Sequence, residues 1–145
     1  MRAVIASWQL WAALSAIFAA LTAILAKVGI EAVGSDLATF VRTLVVITAL
    51  AAFLTATNQW QEPSSLSGRT YLFLCLSGLA TGASWVCYFR ALKLGQAAQV
   101  APIDKLSVVL VALFGAVFLG ERMAALNWFG IALIGAGAVL VAVKV

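Results

Sequence analysis

Five long apolar stretches, parted by short polar connections, constrain this chain more than any other feature of its sequence. A bilayer's hydrocarbon core is ~30 Å thick and is crossed by ~20 residues of α-helix. Stretches of about that length cover residues 8–27, 36–57, 71–92, 97–119 and 126–143. In hydrocarbon no water is present to bond the backbone, so such runs must close their hydrogen bonds internally as helices. The expected fold is therefore an all-α membrane protein with five transmembrane helices, read as one transmembrane domain over residues 1–145. Composition supports this. The chain is 65% hydrophobic and 10% charged, against about a quarter charged in soluble domains, so its polar surface is too small to cover a globule in water. The lipid bilayer is the first partner implied.

Several functions are argued against by what is missing. The net charge of +4 is spread over single basic residues with no cluster, which gives no footprint for nucleic acid. Histidine is absent, and no Cys/His metal spacing exists. Cys75 and Cys87 lie on one expected helix, roughly 18 Å apart along its axis, too far for a bridge, and read as packing residues. No nucleophile–base set and no cofactor motif is present, so neither an enzyme nor a bound cofactor is expected. The first apolar run is span-length rather than signal-peptide length, and it is expected to be retained.

Local signals fill in the spans. Trp8 and Trp11 open the first as interfacial aromatics do, and Ser15, Ala19 and Ala23 form a small-residue stripe along it. Ser35 or Asp36 is the expected N-cap of the second. Arg42 lies inside that span, with Thr39 and Thr43 at helical spacing. The third carries Gly78 and Gly82, and a face of Ser77, Thr81, Ser84 or Trp85, and Tyr88 that should point into the bundle. Arg90 and Lys93 close it where they can snorkel to the interface.

The fourth span holds the oddest stretch, Val100-Ala101-Pro102-Ile103-Asp104-Lys105-Leu106-Ser107. A charge well inside a span costs at least ~2.5–3.5 kcal/mol on insertion scales, so such residues usually have a role or a partner. Pro102 lacks an N–H and crowds the preceding turn, which breaks or kinks a helix. Broken helices at depth are where secondary transporters bind solute. The second and fourth spans start on the same side, and the third ends there. Arg42, Trp85, Tyr88, Asp104 and Lys105 are therefore expected in one layer, roughly 10 Å below that boundary. The functional reading is a solute or ion path. The structural reading is an ion pair in which Asp104 merely neutralises Arg42 or Lys105.

Five spans put the termini on opposite sides. Arg2, Arg69 and Arg122 fall on one side and Lys27, Arg90, Lys93 and Lys144 on the other. The positive-inside rule then specifies almost no orientation. Either the boundaries hide a bias, or copies insert both ways up.

The chain resembles a single EamA domain of the drug/metabolite transporter superfamily. The resemblance rests on Tyr88-Phe89-Arg90-Ala91-Leu92, on Pro102, on Leu113-Phe114-Gly115-Ala116-Val117-Phe118-Leu119-Gly120-Glu121-Arg122 and on Trp128-Phe129-Gly130-Ile131-Ala132-Leu133-Ile134-Gly135-Ala136-Gly137. Arg42 matches an early arginine of the family's second span, and Glu121 the acid of its loop motif, although Glu121-Arg122 also reads as a solvated turn. The Asp104-Lys105 pair departs from the usual, less charged pattern. The resemblance implies one half of a ten-helix inverted-repeat transporter in a plasma or inner membrane, and with it a homodimer, in antiparallel form where insertion is dual. It implies transport of a small solute, with Arg42 or Lys105 holding an anionic group, Asp104 as counter-ion or proton site, and Trp85 and Tyr88 lining the path. A subunit of a lipid-carrier flippase and a non-transporting scaffold subunit are the alternatives.

Overall fold

The computed structural model describes residues 7–143, so Arg2 and Lys144 lie outside the described residues. Six helices run through it: α1 (Trp8–Gly29), α2 (Ser35–Ala56), α3 (Gly68–Leu94), α4 (Ala97–Asp104), α5 (Ser107–Phe118) and α6 (Ala125–Ala142), with one 3₁₀ turn at Pro63–Ser65. No strand occurs among the described residues. α4 and α5 together make one crossing, so five segments are long and apolar enough to span a membrane. Large apolar side chains stand exposed along all of them, among them Phe18, Val45, Leu79, Val117 and Leu140. In water each would be a liability, whereas in lipid they are the solvent-matched surface.

Local chemistry sets the ends. α3 begins earlier than its apolar run because Ser67 caps it: its Oγ accepts the Thr70 N–H at 3.1 Å and its carbonyl accepts the Tyr71 N–H at 3.2 Å. This draws Gly68, Arg69 and Thr70 into the helix. α2 starts at Ser35 with Gly34 as an N-cap that offers no side chain. Neither Ser35 nor Asp36 caps, because the Ser35 hydroxyl donates to Asp36 and the Asp36 carboxylate is held by Arg90. α5 ends at Phe118, and two residues on Gly120, whose φ of +68° suits glycine, turns the chain so that the Glu121 N–H donates to the Gly115 carbonyl at 3.1 Å.

The fourth crossing differs from a plain proline break. The helix runs through Pro102 to Asp104, and the interruption falls at Lys105 and Leu106. Pro102 has no N–H to offer the turn before it. After it the backbone tightens: Lys105 N–H reaches the Pro102 carbonyl at 3.1 Å, Leu106 that of Ile103, and Val108 that of Lys105. These i to i−3 bonds are 3₁₀ geometry, which often marks a strained or functional helix segment.

The chain divides into two units. One is residues 26–93: the last turn of α1, α2 and α3. The other joins the residues up to Leu25 with those from Leu94 onward. In this second unit α4 and α5 pack on α6. Gly135 permits the approach, since a Cβ there would lie 3.2 Å from Val109 Cγ2. An open apolar groove beside that contact is lined by Leu106, Val109, Leu110, Val139 and Leu140.

In the unit of residues 26–93 two lysines cross-bind helix ends. Lys27, in the last turn of α1, donates to the carbonyl of Leu92 on α3 at 2.7 Å. Lys93, on α3, donates to the carbonyls of Ile30, Glu31 and Val33 just beyond α1, at 2.6, 2.9 and 3.0 Å. Lys27 thus satisfies a carbonyl in the last turn of α3, and Lys93 those of the turn that follows α1, near helix C-terminal ends where the dipole also favours positive charge. Ile30 and Leu92 are 1% and 0% exposed, so this end forms the best-buried part of the unit.

Candidate solute site

Arg42 projects from α2 seven residues after Ser35, roughly 10 Å into the span at 1.5 Å per residue. Its guanidinium carbon lies 4.0 Å from the centroid of the Trp85 ring and 5.7 Å from that of Phe89. Trp85 and Phe89 are one helical turn apart on α3, so they share a face and seat the cation together. Such cation–aromatic contacts contribute about 0.5–2 kcal/mol, more where water is excluded. Phe89 is 2% exposed and meets Tyr88 edge-on, with ring centroids 6.4 Å apart.

The site has one conspicuous vacancy in its bonding. Arg42 Nη1 is buried and has no hydrogen-bond partner. Thr39 and Thr43, the nearest hydroxyls along α2, donate instead to the carbonyls of Ser35 and Thr39, each at 2.8 Å. A buried donor left unsatisfied costs ~1–3 kcal/mol, and more when charged. Intramembrane cations left in this state are functional-site candidates by default.

One and a half turns nearer the start of α2, Asp36 takes Arg90 in a two-pronged ion pair, Nε to Oδ1 at 3.0 Å and Nη2 to Oδ2 at 2.7 Å. The side chains are 59% and 60% exposed. This pair ties the first turn of α2 to the last turns of α3 at the same end as the two lysines.

The structure therefore brings Arg42, Trp85 and Tyr88 into one cluster on α2 and α3. Asp104 and Lys105 belong to the other unit, where they pair with each other, Lys105 Nζ to Asp104 Oδ2 at 3.1 Å. Pro102 lies one turn before them on α4. Glu121, in the same unit, folds back over α5, and a Cβ at Gly115 would come within 2.7 Å of its Oε2. Phe89, Asp36 and the lysine–carbonyl bonds are absent from the sequence-level site. Two had signals: Phe89 follows Trp85 at helical spacing, and Asp36 and Arg90 are opposite charges at the same ends of adjacent spans.

Five apolar crossings, with an arginine seated on aromatic rings inside one of them, define a multi-pass membrane protein. The particular family is shown by comparison: the chain belongs to the EamA-like transporter family, whose model matches residues 6–143. An EamA domain is one half of a drug/metabolite transporter. The chain is also 64% identical over 137 residues to an uncharacterized transporter in the cobO 3′ region of a Sinorhizobium species, a match covering 94% of this chain and 97% of that one. No solved structure matches it.

Proposed function

We propose that this chain carries a small solute or metabolite across a plasma or inner membrane, with a second copy completing the path that one five-helix half begins. The observation that carries the reading is the buried Nη1 of Arg42, held by Trp85 and bonded to nothing. A static structural arginine would be expected to have a protein acceptor, whereas a solute-binding arginine awaits one. In this reading Arg42 and Trp85 touch the solute, and Tyr88 lines the approach. Asp104, paired with Lys105, serves as a proton site, and the tightened turn after Pro102 gives the fourth crossing its flexible point. Glu121 closes the loop that ends α5. Insertion in both orientations would let two copies rebuild an inverted repeat, since Lys and Arg residues are almost evenly split between the sides.

The test is uptake by proteoliposomes made from the purified chain alone, read by mass spectrometry of a small-metabolite mixture. Solute uptake that is lost in Asp104→Asn while the protein still assembles supports the transporter with Asp104 in its cycle. Full uptake by that variant removes Asp104 from the cycle, and no uptake by the unaltered chain contradicts the transporter reading itself.

A further inference from the structure

Resting on that reading, we infer that the solute group held by Arg42 is a single carboxylate on an apolar or aromatic body. The inference comes from counting charge around the seat. The carboxylates of residues 26–93 are Glu31, Asp36 and Glu62. Asp36 is bound by Arg90, Glu31 lies in the turn after α1, Glu62 lies in the connection after α2, and none of them pairs with Arg42. Of the nearby cations, Lys27 and Lys93 are directed at carbonyls and Arg90 at Asp36. Arg42 thus stands on aromatic rings with no carboxylate of residues 26–93 against it. A monocarboxylate matches it one for one. A doubly charged phosphate would leave a net negative charge inside the span, which is strongly disfavoured there.

Shape points the same way. The guanidinium carbon lies 4.0 Å from the Trp85 ring centroid and Nη1 has no acceptor, so the group this seat calls for is an acceptor for a guanidinium N–H. A carboxylate is flat and accepts in the guanidinium plane. Trp85, Phe89 and Tyr88 then offer ring surface to the remainder of the ligand.

Benzoate is the probe. The full chain in phosphatidylcholine nanodiscs is titrated with sodium benzoate by calorimetry, beside inorganic phosphate and beside nanodiscs containing phosphatidylglycerol. Saturable benzoate binding is expected, weakened about tenfold to a hundredfold in Arg42→Gln, the loss of a charge-assisted hydrogen bond. Arg42→Lys keeps the charge in the span and guards against misfolding, and weakened binding there, with circular dichroism unchanged, supports the planar contact. Arg69→Gln, a cation over Phe73 elsewhere on α3, should bind like the unaltered chain. Absence of benzoate binding, phosphate binding as tight as benzoate, or loss of benzoate binding in phosphatidylglycerol each overturns the proposal, the last by making lipid the occupant. Benzoate binding without uptake of any solute would leave this site standing and remove the transporter reading. Solute uptake that survives Arg42→Gln, with no benzoate bound, would do the reverse.

Discussion

Replacing Lys93 with methionine tests the crossed lysines at the end of α1 and α3. Methionine keeps most of the apolar stem and removes only the ammonium. Three carbonyls then lose a donor, those of Ile30, Glu31 and Val33. The bonds to Glu31 and Val33 lie at the surface, where water can replace the ammonium, so they contribute little. The bond to Ile30 is partly buried beside a side chain only 1% exposed. Losing one hydrogen bond to a charged group there costs ~1.5–3 kcal/mol. Losing the cation beside the carbonyl end of α1 adds ~0.3–1 kcal/mol. Lys93→Met should therefore destabilise the protein by about 2–4 kcal/mol. The assay is reversible unfolding in mixed micelles with rising dodecyl sulfate, followed by circular dichroism. Lys27→Met removes the bond to Leu92, whose side chain is fully buried. Because both lysines tie the same two helix ends, the double variant should depart from additivity by ~0.5 kcal/mol or more. A Lys93→Met protein within ~0.5 kcal/mol of the unaltered chain, the range of ordinary surface changes, would refute the argument.

Two further outcomes follow from other parts of the chain. Gly135→Leu places a branched side chain where a Cβ already stands 3.2 Å from Val109 Cγ2, so the same unfolding assay should show a loss of ~1–3 kcal/mol from overpacking. Reporters fused to the two termini should register on both sides of the membrane for each fusion, as an almost even split of basic residues predicts. One fixed orientation would exclude the antiparallel pair.

The crossings were legible because each is a run of apolar residues of the length a bilayer demands, and the helices fall on them. What lies between the helices was legible only where periodicity carried it. Arg42 and Trp85 could be matched by depth from chain position alone, and they do meet. Asp36 and Arg90 were legible as opposite charges at the same end of adjacent spans, but not that they meet, since the rotation of α2 against α3 is set by packing and not by spacing within either. The ends of α1 and α3 were harder still. Lys93 reads as a snorkelling residue, and its actual acceptors are backbone carbonyls, which every sequence contains. Pro102 drew attention to the fourth crossing, but the helix runs through it and the tightened turn lies three residues on, at Lys105 and Leu106.

In the function proposed above, one chain is half of a working transporter and a second copy supplies the rest. This is tested most directly by reconstituting unaltered chain with increasing amounts of Arg42→Gln chain at constant total protein and measuring solute uptake. If two copies make one transporter and each must contribute its Arg42, uptake falls with the square of the unaltered fraction. Uptake that falls in simple proportion to that fraction would contradict the claim, because each chain would then be carrying solute alone.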